Sequence, residues 1–172
     1  MAKFELYKPI VLKWEGRYAG NIDGMICTMK GVTLATYQKY CKQKGLKCPN
    51  CFDLKHIPDE HWDEICKEMF WDKWKADEIK NQSIAQLLVD WAWASGAYGI
   101  KYPQQVLGVK VDGIVGQKTI AAINEYPDQK ELFNKLWNRR KKHFEDIAKS
   151  PSKAKFLKGW LNRLNDFKYI NL

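Results

Sequence analysis

The stretch 10-IVLKWEGRYAGNIDGMICTMKGVT-33 decides how the chain is read. Tyr7, Ile10, Val11 and Trp14 recur at the spacing of one helix face, so they mark a buried stripe. Glu15 follows directly on that stripe, and Gly16 is a natural helix stop. Gly20, Gly24 and Gly31 come next, a density that fits a hairpin or irregular loop and not a helix. Two effects of the same sign act on a carboxyl at Glu15. The negative end of the helix dipole disfavours its ionised form, and so does partial burial beside Trp14. A carboxyl that keeps its proton near neutrality is equipped to act as a general acid. The plainer alternative is a solvated glutamate at a helix end.

Outward from this stretch the chain reads as helical. Residues 3–15 form the first helix, with Pro9 favouring a later start. Thr33 caps a helix over 34–44, with Leu34, Tyr37 and Cys41 inward and Gly45 as its stop. Residues 45–57 read as a loop. Pro58 opens the next helix, Asp59 and Glu60 suit its positive end, and Trp62, Ile65, Cys66, Met69 and Phe70 give a buried stripe to about residue 74.

The segment 81-NQSIAQLLVDWAWASG-96 has a cap in Asn81, a stop in Gly96 and apolar residues on all sides between them. Such a helix is central and buried. Asp90 lies in its middle and must find ion-pair or hydrogen-bond partners, or face a cleft. Further on, Asp112-Gly113 and Gly116 make a tight turn between two short helices. Residues 128–149 and a last helix after Pro151 carry apolar stripes from Leu132 to Ile147 and from Phe156 to Phe167. The expected fold class is mainly α, with one glycine-rich hairpin after the first helix.

The motifs carry a family resemblance. Glu15-Gly-Arg-Tyr18, then Asp23, then Thr28-Met-Lys-Gly31-Val-Thr33 resembles the opening of glycoside hydrolase family 108, which has the pattern E-G-G-Y, an acidic glycine-rich hairpin and T-x-x-G-I-T. Arg17 stands where the family has a second glycine, and the hairpin is about a residue short. The run Asp112-Gly-Ile-Val-Gly116-Gln-Lys-Thr119 resembles the DG-x-x-G-x-x-T signature of predicted peptidoglycan-binding segments. Phe156-Leu-Lys-Gly-Trp160-Leu-Asn-Arg163 is similar to the end of family members. The resemblance implies a lysozyme-like N-acetylmuramidase that cuts the β-1,4 bond between N-acetylmuramic acid and N-acetylglucosamine. It further implies that Glu15 is the catalytic acid. No linker interrupts the chain, so residues 1–172 are expected to form one compact unit, with the catalytic motif in 1–80 and the peptidoglycan-binding-type helices in 81–172.

Such chemistry needs a second group, either a carboxylate or a held water, to meet the oxocarbenium-like centre. Asp23 is the candidate carboxylate and Thr28 the candidate for positioning a water, with Asp90 in reserve. Separation of Glu15 and Asp23 decides between inversion and retention. Tyr18, Trp93 and Asp90 are the candidate substrate contacts, with Trp91 a further aromatic. The alternative function is a non-catalytic peptidoglycan-binding module of the same fold.

The net charge of +9 lies almost wholly in residues 130–172, where twelve Lys or Arg face four Asp or Glu. That field favours anionic polymers such as wall glycans, teichoic acids or nucleic acid. The Arg139–Lys142 run has no accompanying recognition motif, so no specific nucleic-acid partner is expected. The partner expected is the peptidoglycan glycan strand, met by a monomer without cofactor. No apolar run is long enough to span a membrane. The first residues do not read as a signal peptide. The expected course is therefore synthesis in the cytoplasm and action on the wall after release, as with a phage endolysin freed by a holin. Five cysteines, an odd count without a secretion signal, argue against a disulfide framework. Cys48-Pro-Asn-Cys51 has metal-knuckle spacing that Cys41 and Cys66 would complete. Those two fall in helical patterns where buried thiols are common, and no metal is expected.

Overall fold

The computed structural model describes residues 1–20 and 27–171. Most described residues are helical, and the strands form one small sheet, so the fold is mainly α and consistent with a lysozyme-like domain. The chain divides into two compact units. One comprises Glu5–Met69, and the other joins Met1–Phe4 to Phe70–Leu172. Residues 70–80 group with the unit that runs to Leu172. The physical reason is apolar: Trp71, Trp74, Ala76 and Ile79 are all fully buried, and the Ala2 amide donates to the Ile79 carbonyl at 2.8 Å.

In the Glu5–Met69 unit, helix α1 (Phe4–Trp14) buries Tyr7 and Val11, while Ile10 and Trp14 are half-buried. It runs straight through Pro9 instead of starting after it. The three-stranded antiparallel sheet follows: β1 (Ala19–Gly20), β2 (Cys27–Met29) and β3 (Val32–Thr33), in that spatial order. Ala19 pairs with Thr28, and Thr28 with Thr33. Lys30 and Gly31 both have positive φ, 46° and 79°. Two successive positive-φ residues are what a tight two-residue hairpin between twisted strands demands.

Helix α2 (Leu34–Gln43) is capped by Thr33, whose side chain accepts from the Thr36 amide. Gly45, at φ 69°, ends it. The stretch 45–57, expected as loop, contains helix α3 (Cys51–Lys55). A reciprocal capping box between Asn50 and Asp53 supports it. Helix α4 (Asp59–Cys66) does not run on to residue 74 as one α-helix. It passes at Lys67–Trp71 into a wider π-type turn.

In the other unit, α5 (Gln82–Ser95) starts at an Asn81 cap and stops at Gly96, at φ 57°. It is buried along most of its length, from Ser83 through Ala92, and packs against α6 (Tyr98–Leu107) and α8 (Gln129–Ile147). Gly99 allows the close α5–α6 approach. A Cβ there would lie 2.4 Å from the Ala92 amide nitrogen, closer than any side chain tolerates. Helices α7 (Gln117–Asn124), α9 (Pro151–Ala154) and α10 (Leu157–Asn165) complete the unit, with α10 against α8.

The Asp112-Gly113 turn between α6 and α7 is held from below by Gln104, which is almost completely buried. Its Oε1 accepts from the Asp112 and Gly113 amides at 3.2 and 2.9 Å, and its Nε2 donates to Asp112 Oδ1 and the Ile114 carbonyl. Asp112 accepts in turn from the Ile114 amide, and this bond, with the one from Gln104, holds its carboxyl below the ordinary range. The signature Asp-Gly is therefore a structural turn.

Candidate active site

Glu15 closes α1. Its amide continues the helical ladder, donating to the Val11 carbonyl at 3.0 Å, and its side chain is half-buried. Positions 8, 12 and 15 lie on one stripe of the helix, because side chains three and four apart share a face. Lys8 and Leu12 on that stripe line a hollow of about 160 Å³, completed by Lys30, Asp59, Trp62 and Asp63. The hollow has a charged floor: Lys8 Nζ is 2.6 Å from Asp63 Oδ2, and Lys30 Nζ is 3.5 Å from Asp59. Trp62 Nε1 donates to the Lys30 carbonyl at 3.0 Å and ties the β2–β3 turn to α4.

Thr28 sits at the centre of the sheet, half-buried, with Ala19 and Thr33 as its strand partners. Tyr18, one residue before β1, is also half-buried. The Lys55 ammonium of α3 lies 5.7 Å above its ring. Gly20 makes room for that ring, since a Cβ there would meet the Tyr18 hydroxyl at 2.8 Å. Glu15, Tyr18 and Thr28 therefore belong to one helix-end-plus-sheet segment. Asp23 lies outside the described residues.

The same segment is stapled by a disulfide between Cys27 of β2 and Cys51 at the start of α3. This overturns the expectation against disulfides. It also removes Cys51 from the metal-knuckle pairing, leaving Cys41 and Cys66 as buried thiols and Cys48 exposed. Among the described residues no three His, Cys, Asp or Glu side chains gather as a metal site.

Asp90, the reserve carboxylate and candidate substrate contact, belongs to the core of the other unit and has 0% exposure. Arg140 Nη2 donates to its Oδ2 at 2.8 Å, and Arg163 donates to both its oxygens at 3.1 and 2.6 Å. Burial alone would raise its pKa. The two guanidiniums outweigh burial and hold the carboxyl below its usual range. Enclosed in this way, it has no face to offer a sugar, so the structure corrects the expectation of a substrate contact there. The arginine also changes the reading of the basic run at 139–142. Arg140 is fully buried, and Arg139 stacks 3.8 Å over the Tyr102 ring, so the four cations are not one continuous surface patch. Trp93 is half-buried with its ring 4.6 Å from Phe70, and Trp91 is wholly buried.

The fold is mainly helical and consistent with a lysozyme-like domain, with an acidic residue at the end of its first helix. The model of Glycosyl hydrolase 108 matches residues 9–96, and that of a Predicted Peptidoglycan domain matches residues 98–165. The chain belongs to glycosyl hydrolase family 108 and is a glycoside hydrolase directed at peptidoglycan. Among solved structures it is similar to SagA of Brucella abortus, at 26% identity and a TM-score of 0.78, over 95% of this chain and 90% of that one. No curated protein matches the sequence. No helix among the described residues is long and apolar enough to cross a membrane.

Proposed function

We propose that the protein is a muramidase, hydrolysing the β-1,4 bond between N-acetylmuramic acid and N-acetylglucosamine with Glu15 as general acid. The observation that carries this reading is the placement of Glu15. It is half-buried at the end of α1, within the family-matched segment and on the helix stripe of Lys8 and Leu12, which are the residues of α1 that line the hollow. In the reaction the Glu15 carboxyl gives its proton to the glycosidic oxygen as the bond from that oxygen to the muramic C1 breaks. A water supplies hydroxide to C1, and its proton passes to a carboxylate. Asp23 is proposed for that carboxylate. Thr28, in the middle strand, is proposed to hold the water or the sugar beside it. Tyr18 is proposed to pack on a sugar with the part of its ring that Lys55 leaves open. The protein is proposed to act on the wall outside the cytoplasm.

Glu15→Gln keeps the shape of the side chain and removes the transferable proton. Turbidity clearing of purified wall should fall by roughly 10²–10⁴-fold, with the thermal unfolding curve unchanged. Clearing at the parent rate would assign the acid elsewhere. Wall binding without any release of reducing sugar by the parent protein would favour a non-catalytic module instead.

A further inference from the structure

The unit that carries the predicted peptidoglycan segment has a groove of its own. The end of α5, the start of α6 and the C-terminal half of α8 enclose about 440 Å³, lined by Ser95, Tyr98, Tyr102, His143, Asp146 and Ile147. This lies within the roughly 300–1,000 Å³ of small-ligand sites. None of these residues belongs to the motif around Glu15.

Its floor is aromatic and rigid. Tyr98 and Tyr102 stack with ring centres 5.6 Å apart and planes 20° apart. His143 lies 4.8 Å from Tyr102 and 5.8 Å from Tyr98. Tyr102 is clamped by buried Trp91, stacked at 6.1 Å, and by the Arg139 guanidinium at 3.8 Å. Tyr98 is the ring left open, with 55% exposure. Gly99 next to it locks the start of α6 onto α5, so the exposed ring is presented from a fixed backbone. A rigid, half-open tyrosine gives contact area at little entropic cost on binding.

Around that floor stand hydrogen-bonding groups. The Lys149 ammonium, 3.1 Å away, holds the Asp146 carboxyl below its ordinary range, so it is an anionic acceptor at neutral pH. Burial, with Arg139 nearby, pushes His143 down and keeps its imidazole neutral. The Ser95 hydroxyl adds a third group. A pyranose ring has an apolar C–H face and a rim of hydroxyls, which is the complement of an aromatic shelf with a polar border. A stem peptide fits less well, because its carboxylates would meet Asp146.

The geometry points to this groove as a saccharide-binding site that holds an N-acetylhexosamine of the glycan strand, with the sugar face on Tyr98 and its hydroxyl or acetamido groups on Asp146 and His143. The inference rests on the reading of peptidoglycan glycan as the substrate and adds a second place where the strand is held.

The test uses the full chain carrying Glu15→Gln, titrated by NMR with peptide-free strands of alternating N-acetylglucosamine and N-acetylmuramic acid, and separately with free stem peptide. Strands should perturb residues 95–102 and 143–147. Tyr98→Ala should weaken strand binding by about tenfold, and Asp146→Asn by about threefold to tenfold. Tyr98→Phe should bind as the parent does. Tyr98 is exposed, so unchanged unfolding curves will separate lost binding from lost fold. Equal affinity in Tyr98→Ala and parent would overturn the proposal, as would perturbation of the groove by stem peptide and not by strands. Shortening of the strands by the Glu15→Gln chain would count against the catalytic assignment alone, since the loss in Tyr98→Ala is read from the same titrations.

Discussion

Each unit holds an acidic side chain on a helix, and the two are treated in opposite ways. Asp90 sits midway along α5, without exposed surface, its oxygens bound by Arg140 and Arg163. Glu15 sits at the end of α1, half-buried, on the helix stripe of Lys8 and Leu12, which line a hollow. A carboxylate enclosed by two guanidiniums is committed to holding helices together, and it cannot exchange a proton with a ligand. A carboxyl at a helix end with partial access can. Burial therefore separates the structural acid from the candidate catalytic one, although both lie in apolar helical sequence.

The largest stability effect should come from breaking the enclosed pair. Asp90→Ala leaves Arg140, itself fully buried, without its carboxylate. Loss of one partner of a buried ion pair costs roughly 3–5 kcal/mol. Denaturant unfolding should register that loss, with hydrogen exchange placing it in α5, α8 and α10. A cost under about 1 kcal/mol would mean that the pair behaves like a surface bridge and that the contrast with Glu15 is overstated.

Next in size is the staple of the other unit. Cys27→Ser with Cys51→Ser should lower stability by about 2–5 kcal/mol, with early exchange in β2 and α3 and little change in α5. Hydrolysis should fall with it, because Thr28 is fixed by the strand that Cys27 anchors. Undiminished hydrolysis in the double variant would remove the sheet from the account of the site.

A smaller effect is expected from Gly99→Ala, about 1–3 kcal/mol, since the new Cβ would press on the α5 backbone. It should also weaken glycan binding by displacing Tyr98.

The smallest effect concerns pH. His143 is held down by burial and by Arg139, so the unfolded chain takes up its proton first as pH falls. Its contribution is present above the ordinary histidine value of about 6.5 and is lost as pH falls through the depressed folded value. The melting temperature of the parent should decline over that window, and His143→Gln should flatten the decline. Asp90, also depressed, contributes above the usual carboxylate range and loses its contribution only at lower pH, as its folded value is crossed. A decline confined to the usual carboxylate range and below would remove His143 as a sensor and leave the depressed carboxyls, Asp90, Asp112 and Asp146 among them.

What was legible in the sequence is what local chemistry dictates. Thr33 and Asn81 as caps, Gly45 and Gly96 as stops and the stripe of α1 all depend on neighbours a few residues away. The Asn50–Asp53 box that starts α3 is equally local, and it overlaps the Cys48–Cys51 spacing that suggests a metal knuckle. Long-range partners were out of reach. Arg140 and Arg163 lie 50 and 73 residues from Asp90, so the need for a partner was readable and its identity was not. Cys27 and Cys51 are 24 apart, and counting cysteines says nothing about which chain segments meet. The aromatic groove joins Tyr98 to His143 and Asp146 across the α6–α8 packing, and no periodicity announces it.

The most direct test of the central claim is the chemistry of the cut ends. Purified peptidoglycan digested with the parent protein should be reduced with borohydride and its fragments identified by mass spectrometry, with the Glu15→Gln chain run in parallel. Fragments ending in reduced muramic acid are expected from the parent and no new ends from the variant. Fragments ending in reduced glucosamine or in anhydro-muramic acid, or the same muramic ends from Glu15→Gln, would contradict the claim.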